Sequence, residues 1–265
     1  MRGTDRTGPG PHDPFPARPD KPDRRPAITP DERSGLGGFG AAGTAAVLVA
    51  AGEGRRLGSD RPKAFLGLAG RPLLAESLER LERSDWIEAI VVAAPPGWEE
   101  PTILLAEELA VAKVAAVVAG GETRAHSVRA ALAEVPEDAL VVLVHDAARP
   151  LLDDRVIERV VTGLAEGHDG VVPGLSIADT VKRVERGTVV ETLDRQNLVA
   201  VQTPQAFVAD VLRAAYAADL AGASDCASLV ERRGGRIKVV EGDPQLMKVT
   251  SRADLEHVER LLGAD

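Results

Sequence analysis

Short apolar runs alternate with amphipathic segments from Thr44 onward, and this alternation limits the possible folds more than any other feature of the sequence. The predicted strands are Ala45–Ala50, Ile87–Ala93, Val114–Val118, Leu140–Val144 and Gly170–Val172, and the predicted helices are Leu73–Glu82, Glu99–Leu109, Ala125–Glu134 and Asp154–Glu166. Strands that are apolar on both faces and separated by helices indicate a mostly parallel sheet covered on both sides. We therefore predict a Rossmann-like, three-layer α/β/α fold with ligands at the carboxyl ends of its strands.

The alternation is interrupted between about residues 176 and 197. Two segments in which polar and apolar residues alternate, Thr180–Glu185 and Thr188–Leu193, flank an Arg186-Gly187 turn and predict a β-hairpin that protrudes from the domain. An isolated hairpin is marginally stable in water and needs a partner. The segment is therefore predicted to be an arm through which two copies of the chain form a homodimer.

Residues 1–42 differ in composition from the rest of the chain. They contain eight of the 18 prolines and show no apolar periodicity, so we predict a disordered tail and a folded domain over residues 43–265. The tail has no apolar core like that of a secretory signal. At the other end, Ser251 and Asp254 form a capping box that predicts a final helix to about Leu262.

Charge and composition exclude several classes of function. The formal net charge of −9 argues against nucleic acid as a partner, so any phosphate must be bound by a local basic cluster. No run of 18 apolar residues is present, and no membrane span is expected. The single cysteine, Cys226, excludes an internal disulfide and fits the cytoplasm. The five histidines show no metal-ligand spacing.

The first segment with chemical potential is Ala50–Gly58, directly after the first predicted strand. Its Gly and Ala residues, Gly54 among them, let backbone N–H groups approach and cradle phosphate oxygens. Arg56 and Lys63 add positive charge where a triphosphate would sit. A tight turn with a solvated basic patch is the alternative. A dinucleotide fingerprint is disfavoured, because Gly58 falls one residue late and no acidic residue ends the second strand.

The second segment is His145–Pro150, which follows the apolar strand Leu140–Val144. A carboxylate at the end of a strand beside a phosphate loop suits Mg²⁺, which often takes one or two carboxylates and substrate phosphates as ligands. Asp146 is therefore the predicted metal ligand. Arg149 either holds a substrate anion or pairs with Asp146 in an ion pair that closes the turn. His145 is predicted to be a structural hydrogen-bonding group.

The third segment is Gly120–Arg124, followed by Ser127. Its two glycines permit close approach of the backbone to a base and ribose, although a plain helix N-terminus with Glu122 near its positive end is equally compatible. Further polar groups are dispersed along the chain and by themselves look like surface or turn residues. These are Asp179–Lys182, Asp194-Arg195, Gln202–Gln205, Ser224-Asp225 and Lys248.

Taken together and in this order, these motifs resemble the 2-C-methyl-D-erythritol 4-phosphate cytidylyltransferases of the non-mevalonate isoprenoid pathway. The resemblance covers about Thr44 to the end of the chain. The Ala-Ala-Gly-x-Gly-x-Arg and Pro-Lys elements are shared by many sugar-nucleotide transferases, whereas His145–Pro150 is much narrower. The resemblance implies transfer of CMP from CTP, with Mg²⁺ or another divalent cation, to 2-C-methyl-D-erythritol 4-phosphate.

The resemblance also implies roles for individual residues. Arg56, Lys63 and Lys248 match the residues that stabilise charge at the phosphates, and Asp146 matches the aspartate beside metal and nucleotide. The positions that match cytidine contacts are Ala50, Ala51, Gly52, Gly121, Glu122 and Ser127. The polyol-phosphate site is expected from Arg149, Thr180, Arg195 and Thr203, with Ser224 and Asp225 nearby. In the family the arm crosses a homodimer, so Thr180 and Arg195 are expected to serve the neighbouring active site.

The sequence departs from the family pattern at two positions. Glu122 stands where aspartate is expected, and Cys226 stands where the family usually has glutamate. The alternatives are a ribitol-phosphate or other polyol-phosphate cytidylyltransferase and a non-catalytic nucleotide sensor. An NAD-dependent oxidoreductase is disfavoured by the glycine spacing given above.

Overall fold

The structure is a computed structural model that describes residues 43–52, 54 and 60–263. The predicted tail, residues 1–42, lies outside the described residues. So do residues 53 and 55–59 of the first glycine-rich loop, among them the predicted phosphate ligand Arg56.

Twelve strands and seven α-helices are present in the described part of the chain. The strands are β1 Thr44–Val49, β2 Gly67–Leu68, β3 Arg71–Pro72, β4 Ala89–Ala94, β5 Val114–Ala119, β6 Val141–Asp146, β7 Gly170–Ser176, β8 Lys182–Glu185, β9 Thr188–Thr192, β10 Val199–Val201, β11 Gln205–Val208 and β12 Ile237–Glu241. The helices are α1 Leu73–Arg83, α2 Glu99–Glu108, α3 Arg124–Leu132, α4 Asp154–Thr162, α5 Ala209–Tyr216, α6 Cys226–Arg232 and α7 Arg252–Leu262.

Eight strands form the central sheet in the order β10-β7-β11-β6-β1-β4-β5, with β12 also paired to β7. The pairs β1–β4, β1–β6, β4–β5 and β7–β12 are parallel, whereas β11 runs antiparallel to β6 and β7. The predicted mostly parallel α/β sheet is thus confirmed. From β1 the chain adds β4 and β5 on one side and returns to place β6 on the other. Ligands bind at the carboxyl ends of strands where such a reversal occurs.

The two faces of the sheet carry separate apolar cores. Along β1, Ala46 and Leu48 pack into one core with residues of α1 and α4, whereas Ala45 and Val47 pack into the other with residues of α3, α5 and α6. Successive side chains of a strand point to opposite faces, so burial on both faces requires the unbroken apolar runs seen in the sequence.

Element boundaries differ from the sequence predictions by a few residues, with larger differences in the second half of the chain. The predicted helix Asp154–Glu166 is α-helical only to Thr162 and continues as a 3-10 helix over Gly163–Glu166. Strands β10, β11 and β12 and helices α5 and α6 were not predicted. Strands β10 and β11 have only three and four residues, too few for a recognisable alternation. The predicted capping box of α7 is confirmed, with Ser251 as the N-cap.

The predicted hairpin is present as β8 and β9. Arg186 and Gly187 have φ angles of 48° and 81°, the positive values that a two-residue hairpin turn of type I′ requires. Every residue of both strands is exposed, including Val184 at 53% and Val189 at 54%. Among the described residues, no helix combines the length and the apolar character needed to cross a bilayer.

Candidate active site

A pocket of about 740 Å³ opens at the carboxyl ends of the parallel strands, within the range of roughly 300–1,000 Å³ usual for small-molecule sites. Four strand ends border it. They contribute Val49 of β1, Pro96 after β4, Gly120 after β5 and Asp146 at the end of β6. The pocket therefore lies where the reversal of strand order on either side of β1 predicts a ligand.

Nine of the predicted site residues line this pocket together. They are Ala50, Ala51, Gly52, Lys63, Gly121, Glu122, Ser127, Asp146 and Lys248. Lys248 is 102 residues away from Asp146 in the sequence, yet both contribute to one wall. The expected convergence of glycine loops, lysines and an aspartate is therefore present in the described residues.

The first glycine-rich loop fixes the position of Lys63. Gly54 has φ +69°, and a Cβ added there would lie 2.9 Å from the Lys63 Cβ. Only glycine adopts this conformation without cost and leaves room for the lysine. The Lys63 backbone N–H donates to the Gly52 carbonyl at 3.2 Å. The loop therefore holds the backbone of the lysine at the pocket while the side chain lines it.

The second glycine pair packs against the first loop. A Cβ at Gly120 would lie 2.1 Å from the Ala51 Cβ, so no larger residue fits. The buried Ser127 hydroxyl accepts from the Gly121 N–H at 3.1 Å and donates to the Thr123 carbonyl at 3.0 Å. Ser127 thus shapes the loop that borders the pocket, in addition to its predicted contact with cytidine.

Asp146 lies between two cations at the centre of the pocket. Its Oδ1 accepts from Arg124 Nε at 2.8 Å, and its Oδ2 accepts from Lys248 Nζ at 2.7 Å. Burial by itself raises the pKa of the carboxyl, but Arg124 and Lys248 outweigh burial and hold it well below its usual range. The carboxylate is therefore ionised at neutral pH.

The ion pair suggested between Asp146 and Arg149 is not the one that forms. The Arg149 guanidinium donates instead to the Leu246 carbonyl, and Arg124 takes the expected place beside the carboxylate. The hydrogen bond between Arg149 and Asp146 is a backbone bond, in which the Arg149 N–H donates to the Asp146 carbonyl at 2.9 Å. This bond closes the turn, which leaves the Asp146 side chain directed into the pocket.

Sequence reasoning did not assign a role to Arg124. Its Nη1 lies 3.4 Å from the sulfur of Cys226, and Tyr216 donates to the same sulfur at 3.1 Å. Burial raises the pKa of the thiol, which is therefore neutral. Asp146 is the only carboxylate paired with Arg124 among the described residues. The signal available in the sequence was a basic residue shortly after the second pair of glycines.

The pocket is locally basic in an acidic protein. Its described lining carries three cations, Lys63, Arg124 and Lys248, against two carboxylates, Glu122 and Asp146, whereas the whole chain has a formal net charge of −9. The acidic composition predicted that any phosphate would be bound by a local cluster of basic groups, and the pocket contains such a cluster.

The donor set suits a magnesium ion shared with a ligand. Within the described ranges, no group of three or more His, Cys, Asp or Glu side chains could enclose a metal by itself. Asp146 supplies one carboxylate, and Mg²⁺ is usually held by one or two carboxylates together with substrate phosphates and water. The residues present therefore fit a metal that arrives with a triphosphate.

Seven other predicted residues lie outside the pocket lining. Arg149 and Thr203 lie behind the Asp146 turn, while Thr180 and Arg195 are exposed in the arm segment. Asp225 caps α6 by accepting from the Ser228 N–H at 2.9 Å, beside the exposed Ser224. Gly54 lies within the first loop, where it packs against Lys63. Their predicted contacts with substrate remain predictions.

Comparisons with known proteins agree with this geometry. The profile of a family described as 2-C-methyl-D-erythritol 4-phosphate cytidylyltransferase matches residues 44–264. Proteins of that name from Frankia casuarinae and Nocardia farcinica are each 46% identical, covering 83% and 82% of this chain and 81% and 93% of their own lengths. A crystal structure of the protein of that name from Thermus thermophilus has a TM-score of 0.67 and 32% identity, with coverage of 82% and 98%.

Proposed function

The chain belongs to the 2-C-methyl-D-erythritol 4-phosphate cytidylyltransferase family, and on this basis we propose that the pocket at the strand ends is its active site. The protein transfers CMP from CTP to 2-C-methyl-D-erythritol 4-phosphate and releases the CDP-alcohol and pyrophosphate. The convergence of two glycine loops, Lys63, Lys248 and Asp146 on one pocket carries the proposal. The ribitol-phosphate alternative is not favoured by the relatives.

The acceptor phosphate attacks the α-phosphorus of CTP directly. A phosphomonoester has its second pKa near about 6, so it is largely a dianion at neutral pH and needs no general base. A new P–O bond forms as the bond to pyrophosphate breaks. Repulsion between two anions and charge on the transition state are then the main obstacles, which fixed cations overcome.

Lys63, Lys248 and Arg56 supply the positive charge in this proposal. Lys63 lines the pocket after the first glycine loop, and Lys248 lines it beside Asp146. The backbone N–H groups of Gly52 and its neighbours would cradle the phosphates. Removal of one preorganised donor typically costs about 10²–10³ in rate, and we expect this for Arg56 as for Lys63.

Asp146 would hold the metal, with Mg²⁺ as the expected ion. The metal, when bound, neutralises phosphate charge and orients the triphosphate. The chain's own contribution is to keep the Asp146 carboxylate ionised and directed into the pocket, through Arg124 and Lys248. Lys248 is 40% exposed in its side chain, so it can turn from the carboxylate towards a phosphate.

Gly121, Glu122 and Ser127 would contact the cytidine, together with the backbone from Ala50 to Gly52. Gly120 packs against Ala51, so the two loops approach each other closely where they line the pocket. The planar base is proposed to bind beside them. Glu122, exposed and at the pocket lining, is placed for a sugar hydroxyl.

The acceptor's phosphate is proposed to meet Arg149 and the arm residues Thr180 and Arg195 of a second protomer, with Ser224 and Asp225 nearby. Thr180 and Arg195 do not line the pocket of their own protomer. The exposed valines of β8 and β9 form an apolar surface that a partner would cover. We therefore propose a homodimer in which each arm completes the other active site.

Mixing two inactive variants tests this exchange of arms. Lys63→Ala disables a pocket and Arg195→Ala disables an arm, so an arm that serves its neighbour makes one complete site in each hybrid dimer. Randomly mixed equal amounts should then recover about a quarter of wild-type turnover, because half of the dimers are hybrid and each has one working site out of two. No recovery, with dimer mixing verified by differently tagged protomers, would place the arm in its own active site.

A panel of acceptors tests the reaction itself. We expect the purified protein, given CTP and Mg²⁺, to form a CDP-alcohol and one equivalent of pyrophosphate with 2-C-methyl-D-erythritol 4-phosphate. The expected kcat/KM with ribitol 5-phosphate is lower by at least about 10²-fold, because unpaired polar groups in a site built for another polyol are costly. The acceptor with the higher kcat/KM, measured by pyrophosphate release, is the substrate that the site is built for.

We also propose a cytoplasmic location, in keeping with the buried free thiol of Cys226.

A further inference from the structure

The backbone N–H of Asp146 needs a partner that the sheet does not provide. Neighbouring N–H groups of a strand point to opposite sides, and the N–H of Ala147 donates to Val49 of β1 at 3.0 Å. The Asp146 N–H therefore points towards β11, but the ladder between β6 and β11 ends at Val144. The Thr203 hydroxyl accepts this N–H at 3.0 Å in place of a backbone carbonyl.

The Thr203 hydroxyl also forms a hydrogen bond with His145. Only one assignment of donors and acceptors satisfies all the groups involved. His145 Nε2 lies 3.1 Å from the Arg149 carbonyl, which can only accept, so Nε2 carries the proton. A neutral imidazole carries a single ring proton, so Nδ1 offers a lone pair. Thr203 Oγ1 lies 3.2 Å from Nδ1 and must donate to it.

Three hydrogen bonds therefore form a chain of fixed direction. It runs from the Asp146 N–H to the Thr203 hydroxyl, from that hydroxyl to His145, and from His145 to the Arg149 carbonyl. The chain ties both ends of the Asp146–Arg149 turn to one buried imidazole. Both side chains are buried, and neither residue belongs to the lining of the pocket.

We infer that Thr203 and His145 are positioning residues, which fix the turn so that the Asp146 carboxylate faces the nucleotide. The inference rests on the proposed function, because it takes Asp146 as the group that meets the metal and triphosphate. It replaces the direct contact of Thr203 with the polyol phosphate that the family resemblance implies. The proton of the Thr203 hydroxyl is already given to His145 and is not available to an acceptor phosphate.

Thr203→Val and His145→Gln test the chain of hydrogen bonds from both sides. Valine keeps the shape of threonine without the hydroxyl. Glutamine reaches the Arg149 carbonyl with its amide but offers no acceptor where Nδ1 lies. We expect each variant to lower kcat about tenfold or more, as a displaced catalytic group does, with the KM for the acceptor unchanged. Both substitutions break the hydrogen bond between Thr203 and His145. The kcat of the double variant should therefore be no lower than that of either single variant.

A binding measurement separates positioning from general damage to the fold. In wild-type protein, calorimetry should show that Mg²⁺ strengthens CTP binding. In Thr203→Val and His145→Gln this gain should shrink, while the affinity for CTP in EDTA stays the same. Thr203→Ser and His145→Asn each preserve the link, by a hydroxyl or by an amide oxygen near Nδ1, and should recover most of the lost kcat. The inference can therefore be tested with the serine and asparagine variants even if Thr203→Val fails to fold.

The opposite pattern would overturn the inference. If Thr203→Val raises the acceptor KM with kcat and the Mg²⁺ gain unchanged, and His145→Gln has no effect, Thr203 contacts the acceptor directly. Failure of the proposed function is distinguishable, because the wild-type protein would then form no CDP-alcohol at all.

Discussion

Lys63→Ala is expected to lower kcat by about 10²–10³-fold, the usual effect of removing one preorganised charge from a phosphoryl-transfer site. Lys63 follows the first glycine loop and lines the pocket, and Gly52 and Gly54 hold its backbone there. In a chain with a net charge of −9, no diffuse positive field can replace it. Steady-state pyrophosphate release at saturating CTP and Mg²⁺ measures the loss.

The matched control is Lys238→Ala. Lys238 lies on β12 and pairs with Glu166 outside the pocket, and such partly exposed pairs contribute little. It should turn over like wild type with an unchanged Tm. Lys63→Arg keeps the charge and should retain more activity than the alanine variant. A folded Lys63→Ala protein with turnover close to that of wild type would refute the role of this lysine in catalysis.

Asp146→Asn is expected to lower kcat by about 10³-fold, which corresponds to several kcal/mol of lost charge stabilisation. Asparagine keeps the size of the side chain and still accepts a hydrogen bond, but it cannot balance Arg124 and Lys248 or supply a carboxylate to Mg²⁺. Titration of activity with Mg²⁺ should show that more metal is needed for half-maximal turnover.

The same substitution should lower the Tm at neutral pH. The two cations hold the folded pKa of Asp146 below its unfolded value, so its charge stabilises the fold above the unfolded pKa. That stabilisation is lost as the pH falls through the folded pKa. The Tm difference between wild type and Asp146→Asn should therefore be present at pH 7 and shrink in acid, below about pH 3.8, the unfolded reference value.

Asp153→Asn provides the control for charge removal. Asp153 caps α4 outside the pocket, and asparagine caps a helix about as well as aspartate. Its turnover and its requirement for Mg²⁺ should match those of wild type. Equal losses in the two variants, or an Asp146→Asn protein with normal Mg²⁺-dependent turnover, would contradict the assignment of Asp146.

Much of the first half of the fold follows from local patterns. The runs that form β1, β4 and β6 are apolar on both faces and largely buried, as expected in a covered parallel sheet, and the edge strand β5 is equally apolar but partly exposed. The second half was harder to predict. Strands β10 and β11 are short and antiparallel, and their pairing depends on the edge that β7 offers rather than on their own residues.

The amino-acid sequence alone specifies many of the residue types that line the pocket. Glycines follow β1 and β5, and an aspartate ends β6, because parallel strands bring their carboxyl ends to one edge. Which cation pairs with Asp146 is settled only in the folded chain. The sequence suggested Arg149, yet Arg149 donates to the Leu246 carbonyl, and Arg124 at the start of α3 pairs with the carboxylate.

The chain of hydrogen bonds from Asp146 through Thr203 to His145 likewise arises only on folding. Thr203 is 57 residues away from Asp146, and it meets the N–H because the β6–β11 ladder ends at Val144, two residues before Asp146. A sequence motif identifies the side chains that a reaction needs, but not the hydrogen bonds that orient them. The hydrogen bonds that aim those side chains depend on where strands end and which donors are left unpaired, and packing between distant segments sets both.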